Sequence, residues 1–247
     1  MAGSRWWKDF DAAVAAVLPA GSRVLDVGCG DGGLVNRLQG LGFDALGVDP
    51  AAPVHPRLIR EPAERVRGLG RFDAVIAVMT LHHAELDAMT SAFTRLLRPD
   101  GRLFVYDFDW DSYDDRAADW LARHDSSAAD NSVAGWRREH GGLHAGAAIK
   151  EALEARFEPL VTARRPYLAR MLARPDLEAA EHALIDVQML PALGFWIVAA
   201  VPRPGPRRFG GTARLIPGAV NFQMSGSWPV SFDWRRHHPH PVCTGTG

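Results

Sequence analysis

The stretch Val24-Leu25-Asp26-Val27-Gly28-Cys29-Gly30-Asp31-Gly32-Gly33, followed one helix and one strand later by Gly47-Val48-Asp49-Pro50, decides the fold. An apolar strand ends at an acid, bends through glycines and opens a helix. The next strand ends at a second acid. Acids at both strand tips around a side-chain-poor bend describe a nucleoside pocket at the open edge of a parallel sheet. Glycines that merely make a tight strand-to-helix turn are the bland alternative, but a turn alone does not need both acids.

Outward from this bend, the pattern alternates between strands and helices. Upstream, Trp7, Phe10, Val14 and Val17 recur at helical spacing, with Ser4 as a candidate cap and Pro19-Ala20-Gly21 as a stop. Apolar runs predict strands at 23–27, 43–48, 57–60, 72–78 and 102–108. Leu34, Val35, Leu38 and Leu41 stripe one helix, 63–69 reads as a short one, and Leu86, Met89, Phe93, Leu96 and Leu97 stripe another. The Pro99-Asp100-Gly101 turn breaks that last helix. After Asp109 the chain turns aromatic and histidine-bearing, and 110–146 reads as an irregular inserted cap. Helices at 147–155 and 175–190 and strands at 157–164 and 195–201 follow. The expected fold class is therefore α/β, a doubly wound, mostly parallel seven-stranded sheet with an antiparallel final strand.

With 247 residues, 47% of them hydrophobic, the chain can bury the core of one such domain, assigned to 1–202. From 203 to 247 no period persists. Thirteen residues there are Gly or Pro, and six arginines stand against one acid, Asp233, so the tail is expected to be largely disordered, with a weak hairpin signal at 215–224 and 228–234. A formal charge of −1 argues against a global pull toward nucleic acid or anionic membrane. Cys29 and Cys243 are too few for a disulfide framework or a Cys-rich zinc site. The first ten residues lack an apolar leader core, and no apolar run approaches the roughly 20 residues of a membrane span. A cytoplasmic location is expected.

The bend fits two templates, Asp26-x-Gly28-x-Gly30-x-Gly32 and the dinucleotide form Gly28-x-Gly30-x-x-Gly33. A diphosphate at the helix N-terminus would be repelled by a carboxylate at position 26, whereas a sulfonium cofactor with an α-amino group would attract it. Asp26 thus favours S-adenosylmethionine. Asp49 can accept hydrogen bonds from ribose hydroxyls in either case.

In VLDVGCGDGGLVNRL (24–38), GVDPA (47–51), FDAVIAVMTLHH (72–83) and FTRLLRPDGRLFVYD (93–107), in that order, the sequence resembles the class I S-adenosylmethionine-dependent methyltransferases, in particular the small-molecule group typified by quinone and natural-product enzymes. The resemblance implies Asp26, Gly28, Gly30 and Gly32 at the methionine end of the cofactor, Asp49 on the ribose, and Met79 and Thr80 near the sulfonium. One position departs from it: where members often carry an Asp before an Ala to meet adenine, this chain has Glu61-Pro62-Ala63. The implied reaction is in-line transfer of a methyl group to a small-molecule acceptor. A nicotinamide-dependent oxidoreductase and a catalytically silent cofactor-binding scaffold are the rival readings.

Only a hydroxyl or protonated amine acceptor needs a base. His82 and His83 follow the fourth strand; adjacent side chains diverge, so one is expected to face the site and the other to pack or cap the next helix. His144 is a further candidate. Asp107, Asp109 and Asp111 alternate and could share a face. As a calcium loop they fail at Ser112 and Ala118, and His140 and His144 lack a third ligand, so no resident metal is expected. Trp110, Tyr113 and Trp136 could wall a flat acceptor or form the core of the cap, and Trp6 and Trp7 could cover the cofactor or simply pack.

Overall fold

The computed structural model describes residues 5–125, 127 and 130–202. Its seven strands are β1 (Arg23–Val27), β2 (Asp44–Val48), β3 (Leu58–Ile59), β4 (Phe72–Val78), β5 (Leu97–Phe108), β6 (Glu158–Arg165) and β7 (Gly194–Ala200). They form one sheet in the order β3-β2-β1-β4-β5-β7-β6, parallel except for β7, which runs antiparallel to both of its neighbours. The order reverses between β1 and β4. There, connections leaving toward opposite sides open a crevice at the carboxyl ends of the strands.

Helices α1 (Arg5–Val17), α2 (Gly33–Gly40), α3 (Leu86–Leu96), α4 (Asp115–His124), α5 (Val133–His140), α6 (Gly146–Glu154), α7 (Leu168–Met171) and α8 (Glu178–Asp186) accompany the sheet. Side chains alternate across each strand, so the sheet carries two cores. Val24, Ala74, Ile76, Phe104, Tyr106 and Trp196 face α1, α2 and the helices after β5, while Leu25, Val75, Leu103, Val105 and Ile197 face α3 and α6.

Four expectations need correction. Residues 63–69 form turns, because Arg95 donates to the carbonyls of Ala63, Glu64 and Val66 that a helical ladder would use, and Gly68 and Gly70 adopt positive φ. The 110–146 segment is substantially helical, not irregular: Asp114 and Ser132 cap α4 and α5 with their side chains. Pro99-Asp100-Gly101 lies within β5 as a bulge, since Phe72 pairs with Leu97 and Ala74 already with Arg102. The helix expected over 175–190 is limited to α8, ending where Gln188 takes a φ of 61°. Ser4, Cys243 and the 203–247 tail lie outside the described residues.

Candidate cofactor and transfer site

The bend after β1 leans over the tip of β2: the Gly28 and Cys29 amides donate to Val48 O at 2.9 and 3.3 Å. Asp49 ties the two tips together, its Oδ2 accepting from Gly30 N at 3.2 Å and its Oδ1 from Ala51 N at 2.7 Å. Gly28, Gly30 and Gly32 all have positive φ, whereas Gly33 does not. At Gly28 a β-carbon would overlap the Thr80 side chain, and at Gly32 one would lie 2.9 Å from Leu58 Cδ1. At Gly33 it would meet only Asp31 Oδ1 at 3.4 Å. The third glycine of the dinucleotide form is needed for tight helix–strand packing. Position 33 shows no such demand, so the backbone follows the Asp26-x-Gly28-x-Gly30-x-Gly32 spacing.

Asp26 is 2% exposed, between β2 and β4, and its Oδ2 has no hydrogen-bond partner among the described residues. Burial, and then the nearby Asp49 carboxylate, push its acid up to about 8. A buried carboxylate oxygen without a donor is costly unless a donor arrives from outside the chain. A cationic, amine-bearing ligand supplies one; a diphosphate would worsen the repulsion. The residues therefore fit S-adenosylmethionine.

After β4 the backbone turns sharply. Met79 takes a φ of 56°, uncommon for a residue with a side chain, and its amide donates to Tyr106 O at 2.8 Å. Thr80 Oγ1 lies 3.1 Å from the carbonyl oxygens of Val27 and Val78, locking this turn to the glycine bend. A 3-10 turn, Leu81–His83, follows.

All three candidate histidines meet at this turn. His82 is buried, its Nδ1 2.6 Å from Oδ1 of the buried Asp107. The same carboxylate accepts from Phe108 N at 2.9 Å and Leu81 N at 2.8 Å. With two amides already donating to this carboxylate, the short contact is met by an N–H on His82 Nδ1, the tautomer that leaves Nε2 as an acceptor. That Nε2 is buried and has no partner among the described residues. His83 is exposed, its ring 4.2 Å from that of His82. One ring of the pair is buried and the other exposed, yet the two stay in contact instead of diverging. His144, also exposed, ties the turn to the start of α6: its amide donates to His82 O and its Nε2 to Ala84 O, each at 3.0 Å.

Asp109 and Asp111 stay together, their carboxyls within hydrogen-bond reach of each other, while Asp107 is buried against a different partner. Asp107 serves His82, Asp109 pairs with Lys150 at 2.9 Å, and Asp111 accepts from Gly146 N at 3.3 Å. His140 is the last residue of α5 and His144 lies beyond it, so the pair is not on one helix. Tyr113 and Trp136 are buried and stacked at 4.2 Å, with His140 on Trp136 at 4.0 Å; they are the packed core of this segment. Trp6 is buried against Phe10 and Tyr106, and Trp7 packs under Arg37. Glu61 is exposed. Sequence reasoning grouped Asp107 with its acidic neighbours and so missed it as the partner of His82; its place at the tip of the strand beside β4 was the available signal.

Fold and site together define an α/β protein with a crevice for an amine-bearing nucleoside. The chain belongs to the methyltransferase domain family, which matches residues 4–156. It is similar to the ubiquinone biosynthesis O-methyltransferase of Xanthomonas oryzae pv. oryzae (strain PXO99A), 34% identical over 108 residues, or 35% of this chain and 43% of that protein. The match thus spans less than half the length of this curated relative. Among solved structures, a chain of the complex between the Haloferax volcanii Trm112 methyltransferase activator and a methyltransferase has a TM-score of 0.53 at 16% identity, covering 81% of this chain and 91% of that one. The PH0226 protein from Pyrococcus horikoshii OT3 has a TM-score of 0.50 at 16% identity, covering 81% and 92%. Both share the fold.

Proposed function

We propose that this protein is an S-adenosylmethionine-dependent methyltransferase acting on a hydroxyl of a small-molecule acceptor, in the cytoplasm. The observation that carries the cofactor is the partnerless buried oxygen of Asp26 beside a bend built on Gly28, Gly30 and Gly32. The hydroxyl is supported by the His82–Asp107 pair and by a relative named as an O-methyltransferase. Among the described residues no helix is long and apolar enough to cross a membrane.

When bound, S-adenosylmethionine supplies a methyl group activated on a sulfonium. In this reading Asp26 neutralises the amino acid end, Asp49 accepts from ribose hydroxyls, and Met79 and Thr80 shape the wall near the reacting end. His82 Nε2 takes the proton of the acceptor hydroxyl as the oxygen attacks. Asp107 is a positioning residue that fixes the tautomer and stabilises the imidazolium that forms. Most of the acceleration comes from alignment in a site closed to water.

Calorimetry tests the cofactor directly: S-adenosylhomocysteine binds and NADH does not, and the reverse result rejects the reading. Asp49→Ala should cost about 1.5–3 kcal/mol of S-adenosylhomocysteine affinity, the range for a charged hydrogen-bond partner. Unchanged affinity in the same titration would remove Asp49 from the site.

Asp26 makes binding pH-dependent. Its acid rises from 3.8 to about 8 on folding, so between those values the folded protein holds a proton that the unfolded chain has lost. Its contribution to the stability of the ligand-free protein is therefore greatest below the lower value and lost as pH climbs through the upper one. A cationic ligand needs the carboxylate, so binding at pH 6.5 should release nearly one proton, and affinity should rise about tenfold per pH unit toward neutrality. Heats measured in buffers of different ionisation enthalpy report this release. Heats independent of buffer, or the same release from Asp26→Asn, would contradict it.

A further inference from the structure

A second group of unsatisfied polar atoms lies apart from the glycine bend. Arg5 Nε, Trp6 Nε1, Arg165 Nε and Arg170 Nη1 are all buried, and none has an acceptor among the described residues. All four are donors, and they gather around one aromatic cluster. Arg170 lies over the rings of Trp6 and Tyr106, at 4.4 and 5.2 Å from their centroids, and Trp6 stacks on Phe10 at 5.4 Å. Arg165 lies over Trp196 at 5.1 Å. Arg5, Trp6 and Arg165 line one narrow pocket with free space of about 10 Å³, room for one water-sized group such as a single oxygen.

Acids border the same pocket without satisfying these donors. Glu178 accepts from the backbone amides of Arg5 and Trp6 at 3.0 and 2.7 Å, and so holds the start of α1 in place. Asp9 lies 4.0 Å from Arg5 Nε, beyond hydrogen-bond reach. Buried donors are nearly always matched by an acceptor in a folded protein. Three guanidinium groups and an indole N–H on one side of the sheet call for an anionic oxygen.

We propose that Arg5, Trp6 and Arg165, with Arg170 behind the indole, bind an oxyanion of the acceptor, a carboxylate or a phosphate. The inference rests on the methyltransferase reading and adds the acceptor's chemical class. Position supports it. Arg165 pairs with Gly194, which pairs with Phe108 on β5, so the anchor lies two strands, roughly 10 Å, from the end of β5. The Phe108 ring lies 4.8 Å from that of His82. A small acceptor can therefore be held at its acidic end while another end reaches the transfer site.

Benzoate, phenyl phosphate and neutral benzamide, titrated into the full-length protein with and without S-adenosylhomocysteine, test the pocket. At least one anion should bind more tightly than benzamide and weaken as salt is added, and which anion is preferred separates carboxylate from phosphate. Arg165→Gln should weaken that anion about tenfold, the loss for one charge-assisted hydrogen bond. Trp6→Phe keeps the stacked ring but removes the N–H, and should weaken it several-fold. It decides the matter if Arg165→Gln does not fold. S-adenosylhomocysteine affinity should change in neither. Equal binding of benzamide and both anions, or anion binding unchanged by both substitutions, overturns the pocket. Failure of S-adenosylhomocysteine to bind would instead reject the methyltransferase reading, while the anion titrations without it still judge the pocket.

Discussion

His82→Gln is expected to lower kcat toward a hydroxyl acceptor by roughly 10²–10⁴-fold, the usual contribution of a positioned general base, while S-adenosylhomocysteine binds as before. Glutamine keeps the polarity and approximate size of the side chain but cannot take a proton near neutrality. Asp107→Asn should produce a related defect for a different reason. Asp107 accepts from three donors at once, the Leu81 and Phe108 amides and His82 Nδ1. An asparagine has one acceptor oxygen, and its amide nitrogen facing His82 would favour the tautomer with the proton on Nε2, blocking the acceptor position. In both variants kcat toward a hydroxyl acceptor should fall while S-adenosylhomocysteine affinity holds. A kcat equal to that of the parent protein would show that His82 is only a packed histidine, and would leave the exposed His83 as the candidate base.

The second large effect falls on the glycine bend. Gly28 has a φ of 76°, and a β-carbon there would overlap the Thr80 side chain, whose hydroxyl sits 3.1 Å from Val27 O. Gly28→Ala should therefore combine left-handed backbone strain of about 1–2 kcal/mol with crowding of about 1–3 kcal/mol, for a total loss of roughly 2–5 kcal/mol in chemical denaturation. Cofactor affinity should fall with it, because the displaced Thr80 turn also carries Met79. Gly33→Ala is the control: with ordinary φ and only Asp31 Oδ1 at 3.4 Å, it should unfold within about 1 kcal/mol of the parent. Equal losses at both positions would mean that the two templates cannot be told apart by backbone demand.

The sheet was legible in the sequence because its strands are short apolar runs with obvious stops. The apolar run at 23–27 matches β1 and that at 72–78 matches β4 residue for residue. The turns at 63–69 were not legible, because the groups that satisfy their carbonyls belong to Arg95, 29 to 32 residues away. Nor was the bulge in β5, since a Pro-Asp-Gly turn signal looks the same whether the chain reverses or a strand absorbs extra residues against its neighbour.

The cofactor side of the site follows from local chemistry. Two acids at consecutive strand tips and glycines at fixed spacing act through backbone within a few residues of themselves, so a linear reading captures them. The acceptor side depends on contacts between distant segments: Asp107 reaches His82 across 25 positions, and Glu178 caps the start of α1 across 172 and 173. The sequence alone determined the α/β class and the nucleoside pocket, because strand periodicity and glycine conformation are short-range properties. Only the tertiary structure decided which histidine is oriented by a carboxylate and where unpaired donors collect, because burial and pairing exist only once the strands and helices are assembled.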